Sequence, residues 1–346
     1  AVSLGMIHST LVAQDQPTPP EMSSDSIEAA LAEAWSTFKD LDEGANADYI
    51  PALAQVDSRL FGIALVTVDG KVFSVGDTSD LFSIQSISKV FTLAQVLSES
   101  GADRVEDLIG VDATGQVFNS IEAIELHKGS EQNSLVNAGA IATTGLVTGS
   151  TDAEKWSKVL QMHSAFAGRE LAVNDEVYQS EAATNQRNQA IAALMAAYGK
   201  ISDDPQMVTE VYTRQCSLNV NARDLAIMAA TLANGGKNPV TKTTVLEAKH
   251  VPRILAVMAT AGLYDDSGIW LYNVGLPAKS GVGGGDYCRL PRQVRSGCFF
   301  TATGCRRQQR SSSTCHQVDI RSVERQPLQR HTAYSVTESA ALSRPE

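Results

Sequence analysis

Residues 82–93 read FSIQSISKVFTL, and within them Ser86 and Lys89 stand three positions apart. On an α-helix this spacing puts a hydroxyl and an amine on the same face, one turn apart. A serine hydrolase can use such a pair without a catalytic histidine, provided that the lysine acts as the base for the serine. Because a free lysine has a pKa of about 10.4, burial and nearby positive charge must lower that pKa toward neutrality. The stretch therefore predicts a helix that carries a nucleophile and its base.

The Ser-x-x-Lys spacing occurs twice in the chain, and the surrounding sequence distinguishes the two copies. Ser36 and Lys39 have the same spacing, but they belong to residues 27–39, where apolar residues recur at helical intervals. That pattern is typical of an amphipathic helix, so we interpret this copy as a solvated helix face. The copy at Ser86 instead follows residues 60–76, in which two apolar stretches flank an Asp-Gly pair that predicts a β-hairpin turn. The Ser86 helix is thus expected to begin just after a hairpin.

Composition and charge narrow the classes of function. The chain has 346 residues, of which 43% are hydrophobic and 19% charged, and this is enough for a full hydrophobic core. Its net charge of -11 argues against nucleic acid as a partner, and no apolar stretch is long enough to cross a membrane. Residues 1–22 lack the basic and apolar segments of a secretory signal, which favours a cytoplasmic protein; a processed, secreted form is the alternative. The five cysteines, odd in number and widely spaced, fit neither a disulfide framework nor a zinc site.

Helical and strand patterns together predict an α+β fold. Helical patterns cover residues 27–41 and then dominate the middle of the chain at 134–147, 152–167, 185–198 and 222–233. Strand patterns occur in the hairpin of residues 60–76 and return only at residues 272–284. Strands at both ends with helices between them predict one antiparallel sheet flanked by helices, with a helical subdomain in the centre.

A second polar motif lies in the later strand pattern. Residues 277–285 read PAKSGVGGG, a Lys-Ser-Gly box followed by glycines. Glycines let a backbone approach a ligand closely, and a backbone N–H from this segment would pair with that of Ser86 to form an oxyanion hole. A glycine-rich turn is the alternative interpretation. Together with the upstream Ser-x-x-Lys spacing, the box resembles the arrangement of the serine β-lactamases and penicillin-binding proteins.

Further motifs distinguish among the members of that superfamily. They occur in order at residues 82–89, 133–140, 178–181 with 187–188, 228–236 and 277–282. Together they resemble the glutaminase family, and the resemblance extends from about Tyr49 to Gly285. One departure is Ser134, where the family usually has proline after the asparagine, and we expect it to alter a turn and not the chemistry.

The resemblance implies hydrolysis of L-glutamine to L-glutamate and ammonia through a glutamyl-enzyme, with a serine β-lactamase/DD-peptidase-like fold and with neither a metal nor an organic cofactor. It implies that Ser86 is the nucleophile and Lys89 its base. Tyr49 and Tyr264 would flank the reacting amide and assist proton transfer. The backbone amides of Ser86 and Val282 would hold the oxyanion. The residues implied to bind the substrate are Gln85, Asn137, Glu181, Asn188, Tyr212 and Val282.

L-Glutamine is therefore the expected small-molecule partner. Its ammonium needs an acidic group such as Glu181, and its carboxylate needs neutral donors such as asparagine. We also expect a homodimer or a homotetramer. The alternative activity is that of a β-lactamase or D-alanyl-D-alanine peptidase, which would share the Ser86 nucleophile. The chain could also belong to another functional class, that of a binding protein that takes up glutamate in the same pocket without hydrolysing a substrate.

Residues 286–346 depart from the pattern of the preceding chain. All eleven lysines precede this segment, whereas ten of the seventeen arginines and four of the five cysteines lie in it. After Gly285 the glutaminase family continues with apolar strands, which this chain lacks. Codons can be chosen for residues 285–299 so that a one-nucleotide shift reads AIIAVCPGKFGLAVF, and this sequence resembles those strands. We therefore expect an N-terminal tail of residues 1–24, a catalytic domain of residues 25–285 and a frameshifted segment that leaves the strand at Lys279 without its next neighbour. An arginine-rich interaction tail is the alternative.

Overall fold

The helix that begins at Ser88 lies at the centre of the protein, and its first turns are buried by its neighbours. A computed structural model describes residues 23–41, 45–283 and the backbone of 286–288. Its helices are α1 (Ser24–Phe38), α2 (Pro51–Ala54), α3 (Ser88–Leu108), α4 (Ile121–His127), α5 (Asn137–Leu146), α6 (Asp152–Ala167), α7 (Asp175–Thr184), α8 (Gln186–Ala197), α9 (Pro205–Cys216), α10 (Ala222–Ala233), α11 (Val251–Ala261) and α12 (Ser267–Val274). Its strands are β1 (Gly62–Val66), β2 (Val72–Gly76), β3 (Phe82–Ser83), β4 (Asn219–Val220), β5 (Ala278–Ser280) and β6 (Asp286–Cys288).

The α+β class and the antiparallel pairing that the sequence predicts are confirmed. In the described residues the strands pair as β1 with β2, β3 with β4 and β5 with β6, and not as the single sheet that the sequence predicts. The predicted helices correspond to α1, α3, α5, α6, α8 and α10, whereas α2, α4, α7, α9, α11 and α12 are not predicted from the sequence.

The predicted strand at residues 272–284 is partly wrong. The first three of these residues complete α12, which ends at Val274 and is followed by the capping residue Gly275 with a φ of +78°. Only Ala278–Ser280 forms β5. The error has a physical reason, because a short apolar run does not show by its periodicity whether it is a strand or a buried helix.

The segment after Gly285 also differs from the expectation. The backbone of Asp286–Cys288 forms β6, antiparallel to β5, with Asp286 opposite Ser280 and Cys288 opposite Ala278. The expectation that β5 loses its next neighbour is therefore wrong at these positions. Ladder hydrogen bonds need only backbone N–H and C=O groups, so they form without the apolar side-chain pattern of a typical strand. Most of the expected 286–346 segment, like residues 1–22, lies outside the described residues.

Two hydrophobic clusters define two layers. In the larger cluster, α3 packs against α5 and α6, and Ile87, Val90 and Phe91 have no exposed surface. In the second cluster, α1 and the β1–β2 hairpin pack together with β5, through residues such as Leu31 and Ala278. Each fully buried aliphatic or aromatic side chain stabilises the fold by about 1.5–3 kcal/mol. No helix in the described parts of the chain is long and apolar enough to cross a bilayer.

Close backbone contacts at glycines position β5. A Cβ added to Gly262 would lie 1.7 Å from the carbonyl oxygen of Ala278. A Cβ added to Gly283 would lie 2.0 Å from the carbonyl oxygen of Ser83. Since only glycine lets two backbones approach this closely, Gly262 holds the end of α11 against β5, and Gly283 holds the segment after β5 against β3.

Replacing Gly262 by alanine is expected to destabilise the protein, because the strand β5 must move to accommodate the new methyl group. We expect Gly262→Ala to lower the free energy of unfolding by about 2–4 kcal/mol. Gly268 is the matched control, since a Cβ added there meets no atom within 4 Å. Gly268→Ala is expected to stabilise α12 by up to about 1 kcal/mol. Urea unfolding of both variants tests this, and equal stabilities would contradict the close contact at β5.

Candidate active site

Ser86 lies in a 3-10 turn, Gln85–Ile87, that leads directly into α3. It is nearly buried, with 8% of its surface exposed. Gln85 has a φ of +48°, in the left-handed region that residues other than glycine rarely adopt. The turn thus places Ser86 at the N-terminal end of α3, where backbone N–H groups have no helical partners and favour negative charge.

Lys89 lies one turn later and is fully buried. Its Nζ donates to Asn137 Oδ1 at 2.7 Å and to the carbonyl oxygen of Leu135 at 3.4 Å. Burial lowers the pKa of Lys89 to about 8, although the negative charge of Glu181 opposes this shift. A substantial fraction of Lys89 is therefore a neutral amine at slightly alkaline pH, the form that can accept a proton. No hydrogen bond joins Ser86 to Lys89 in this arrangement.

Asn137 connects several of the predicted site residues. It is the first residue of α5, and its Oδ1 accepts from Tyr212 Oη at 3.4 Å as well as from Lys89. Its Nδ2 donates to Asn188 Oδ1 at 3.0 Å. Its backbone N–H donates to the carbonyl oxygen of Phe118 at 2.8 Å. Asn137 thus joins the base to two more predicted ligands, which come from α8 and α9.

Glu181 is a buried carboxylate on α7. Gln85 Nε2 donates to Glu181 Oε2 at 3.3 Å and to Ser83 Oγ at 3.2 Å. Burial raises the pKa of Glu181 to about 7, against the opposing effects of this hydrogen bond and of the Lys89 charge. Such a carboxylate is poorly solvated, and a bound ammonium group would compensate for its lost hydration.

Tyr264 lies beside Lys89 with its ring centroid 5.7 Å from Nζ. It begins a 3-10 turn after α11 and has a φ of +58°. The ring of Phe118 packs against it at a centroid distance of 4.9 Å. Phe118 therefore forms a wall of the site, and its backbone also binds Asn137.

Val282 and the residues that follow Tyr49 pack together near the site. Ile50 and Leu53, which follow Tyr49, form a small apolar cluster with Val177 of α7 and with Val282. Tyr49 itself is half-exposed, and its pKa is raised by partial burial and by the negative charge of Glu181. The Tyr49 segment, the Glu181 helix and the segment after β5 therefore meet at one edge of the site.

The structure places the predicted residues in two groups. Direct hydrogen bonds join Lys89, Asn137, Asn188 and Tyr212, and they join Gln85 to Glu181. A ring contact places Tyr264 beside Lys89, and apolar packing places Val282 next to α7. Tyr49 is linked to the site by the electrostatic effect of Glu181 on its hydroxyl. The role of each residue in a reaction stays a prediction.

Two further residues contact this site without having been assigned a role from the sequence. Phe118 carries no motif that would identify it. Lys279 does belong to a recognisable motif, the Lys-Ser-Gly box, and its Nζ lies 4.1 Å from the ring centroid of Tyr264.

Comparisons with known proteins agree on one family. Residues 44–302 match the family described as Glutaminase. A protein of Colwellia psychrerythraea named Glutaminase is 51% identical over 259 residues, which are 75% of this chain and 83% of that protein. A protein of Brucella canis with the same name is 50% identical over 277 residues, which are 80% of this chain and 87% of that protein.

Solved structures give the same result. A structure described as the probable glutaminase ybaS has a TM-score of 0.83 and 44% sequence identity, and the match covers 87% of this chain and 96% of that chain. A crystal structure described as Mglu in its glutamate form has a TM-score of 0.76 and 35% identity, and the match covers 82% of this chain and 64% of that chain.

Replacing Glu181 by glutamine is expected to stabilise the protein at alkaline pH. Because the pKa of Glu181 is raised from 4.5 to about 7 in the fold, the folded state binds the proton more tightly than the unfolded chain does. The resulting loss of stability is absent at a pH below 4.5, the pKa in the unfolded chain. It grows as the pH rises toward the folded pKa of about 7 and has its full effect above that pH. Glu181→Gln should therefore raise the free energy of unfolding at pH 8 on the order of 1–3 kcal/mol, with little change near pH 4.5.

Urea unfolding at the two pH values measures this difference. Glu176, which is exposed on the same helix, provides the control. Glu176→Gln should change stability by less than about 0.5 kcal/mol at either pH. If the Glu181→Gln variant is no more stable than the wild type at pH 8, the buried, ionised Glu181 does not destabilise the fold.

Proposed function

The chain belongs to the glutaminase family, and we propose that it hydrolyses the side-chain amide of L-glutamine to give L-glutamate and ammonia. The observation that carries the mechanism is the fully buried Lys89, one turn from Ser86 and held by neutral oxygen atoms. An amine in this environment is a base for a serine hydroxyl, and it needs no histidine.

The first half of the reaction transfers the glutamyl group to the enzyme. Ser86 Oγ bonds to the side-chain carbonyl carbon of glutamine, and its proton passes to Lys89 Nζ. The carbon–nitrogen bond then breaks, while that proton passes to the leaving nitrogen, which departs as ammonia. Tyr264, whose ring lies 5.7 Å from Lys89 Nζ, would assist this transfer. The resemblance to the family implies the same role for Tyr49.

The second half releases the product. Water attacks the glutamyl ester and gives one proton to Lys89, and the bond between the acyl carbon and Ser86 Oγ breaks. Oγ takes the proton back, so the enzyme returns to its starting state and glutamate leaves. In both halves the backbone N–H groups of Ser86 and Val282 would stabilise the negative carbonyl oxygen, an effect that typically accelerates such reactions by 10²–10³ per donor, roughly.

Substrate recognition follows from the charges around the pocket. Glu181 is the acidic group for the substrate ammonium, and Gln85 holds the carboxylate of Glu181 in place. Asn188, whose Oδ1 accepts from Asn137, supplies a neutral amide donor for the substrate carboxylate. Tyr212 would offer its hydroxyl to the substrate in exchange for its hydrogen bond to Asn137 Oδ1. A bound ammonium would favour the charged form of Glu181, so substrate binding and the charge of this residue reinforce each other.

The organisation of the chain is part of the same proposal. We place the catalytic unit at residues 25–285, in a cytoplasmic homodimer or homotetramer. The family match over residues 44–302 is about as long as this unit, and it also includes the first residues after 285. Support for an oligomer comes from α12, where Tyr272 is 85% exposed and Ile269 is 48% exposed, since exposed apolar side chains on one helix suit an interface.

Ser86→Ala is expected to abolish the release of ammonia from glutamine. Loss of the nucleophile should lower kcat at least about 10³-fold, as measured by a coupled assay for ammonia. Ser36→Ala is the matched control, because Ser36 has the same Ser-x-x-Lys spacing but is exposed and bonds only to the carbonyl oxygen of Glu33. Equal rates for Ser86→Ala and wild type would exclude the proposed nucleophile. Hydrolysis of nitrocefin without glutamine turnover would favour the β-lactamase alternative.

A change of reading frame accounts best for the composition of residues 286–346. If it arose in sequencing, the intact mass of the purified protein will differ from 36.9 kDa, and resequenced DNA will read the apolar segment in frame. If it arose in the gene, restoring the frame is expected to raise both the melting temperature and kcat. A matching mass together with no gain on restoration would contradict a frameshift and favour an arginine-rich interaction tail.

A further inference from the structure

The helix α2, which follows Tyr49, is capped by a side chain from another helix. It has four residues, too few to be stable on its own, and Ile50 at its N-cap makes no side-chain hydrogen bond to it. The backbone N–H of Ala52, in the first turn, donates instead to Ser180 Oγ at 3.1 Å. Ser180 lies on α7, 128 positions further along the chain. Its hydroxyl therefore performs the function of an N-cap residue for α2.

The other end of α2 is capped by Asn46. Its Nδ2 donates to the carbonyl oxygens of Leu53 at 3.4 Å, Ala54 at 3.2 Å and Val56 at 2.8 Å. The carbonyl groups of the last helical turn have no partners within the helix, so a side-chain amide that reaches them stabilises that turn. Residues 46–56 therefore form a loop whose two ends are joined by Asn46.

Apolar packing holds this loop against α7 without fixing its orientation. Ala47, Ile50 and Leu53 are buried and form a small cluster with Val177, which lies one turn before Ser180. Because hydrophobic contacts are non-directional, such a cluster tolerates small rotations of the loop. A hydrogen bond, in contrast, requires its donor and acceptor at a set distance and angle. The bond to Ser180 therefore sets the orientation that packing leaves open.

Tyr49 and Glu181 are the site residues that this hydrogen bond keeps together. Tyr49 lies between Ala47 and Ile50, both of which are buried in the apolar cluster. Burial and the negative charge of Glu181 raise the pKa of the Tyr49 hydroxyl, so that hydroxyl lies within electrostatic reach of the carboxylate. Glu181 directly follows Ser180 on α7. A shift of the loop relative to Ser180 would therefore change the separation of Tyr49 from Glu181.

We propose that Ser180 is a positioning residue for the hydrolytic reaction: by capping α2, its hydroxyl holds Tyr49 at a fixed separation from Glu181. This inference rests on the proposed roles of Tyr49 in proton transfer and of Glu181 in binding the substrate ammonium. It gives the motif of residues 178–181 two functions, since the motif that supplies the acidic group also supplies the cap for the loop that carries the tyrosine.

Substitutions of Ser180 separate its hydroxyl from its place on α7. In the full chain, Ser180→Ala removes the hydrogen-bond acceptor and should lower kcat/KM for glutamine about 5- to 30-fold, because Tyr49 no longer keeps its place beside the substrate. Ser180→Thr retains a hydroxyl and should stay within about 3-fold of the wild type. Asn46→Ala loosens the same loop without changing α7, so it should lower kcat/KM by a similar factor. A coupled assay for ammonia measures all three variants.

Ser23 provides a matched control. Its Oγ accepts from the backbone N–H of Ser26 at 3.1 Å and caps α1, which packs on the β1–β2 hairpin. Ser23→Ala and Ser180→Ala therefore remove the same kind of bond, and both should lower the melting temperature by less than about 4 °C. Only Ser180→Ala should lower kcat/KM. In a Tyr49→Phe background its effect should shrink to less than about 2-fold, because the hydroxyl that Ser180 positions is missing.

Wild type and Tyr49→Phe measured alongside keep the two proposals apart. If wild type releases no ammonia from glutamine, the proposed function fails. If wild type is active, the role of Ser180 alone is overturned when Tyr49→Phe or Asn46→Ala is as active as wild type. The same holds when Ser180→Ala matches Ser23→Ala, when Ser180→Thr is as slow as Ser180→Ala, or when Ser180→Ala costs as much in the Tyr49→Phe background. Failure of Ser180→Ala to melt cooperatively, when Ser23→Ala does so, would overturn it as well, because Ser180 would then hold the fold.

Discussion

The burial of one lysine at the start of α3 is the constraint on which the rest of the site depends. Removing an ammonium group from water costs several kcal/mol, roughly, unless its charge or its hydrogen bonds are compensated. Here burial lowers the pKa of Lys89 to about 8. Neutral oxygen atoms of Asn137 and Leu135 accept hydrogen bonds from its Nζ. The position of α5 is therefore tied to the position of α3, and both are tied to the chemistry of the amine.

The same region contains other features that are unfavourable for folding. Gln85 has a left-handed backbone, and Glu181 is a carboxylate with almost no exposed surface. The large apolar cluster around α3 stabilises the fold enough to tolerate them, with Val90 and Phe91 completely buried beneath the turn. Local destabilisation that is compensated by a nearby core is typical of sites that must be ready for a reaction before the substrate arrives.

Backbone contacts at β5 complete the arrangement. Gly262 brings the end of α11 against this strand, and Gly283 brings the segment after the strand against β3; a side chain at either position would separate them. Lys279 then joins β5 to the end of α11 through the carbonyl oxygen of Gly262, two residues before Tyr264. The base, the tyrosine and the proposed oxyanion donor thereby occupy fixed positions, although they belong to three separate parts of the chain.

The sequence alone determined the class of fold and the identity of the family. Ser86 and Lys89 are three residues apart, and the 3-10 turn that leads into α3 keeps them about one helical turn apart along the chain. Local patterns likewise predicted α6 and the β1–β2 hairpin, since turn residues and apolar periodicity act over short distances. The motifs also pointed to the residues that surround the site, although only a resemblance to known proteins gave them roles.

Tertiary structure decided what depends on contacts between distant residues. Asn137 and Glu181 look like ordinary polar residues in sequence, and only packing makes one a partner of Lys89 and raises the pKa of the other to about 7. Phe118 and Lys279 came into contact with Tyr264 only in the fold. The strand β6 formed where the side-chain pattern argued against one, because β5 offered unpaired backbone groups. Burial, charge and pairing between distant segments are properties of the folded chain, and local sequence patterns do not encode them.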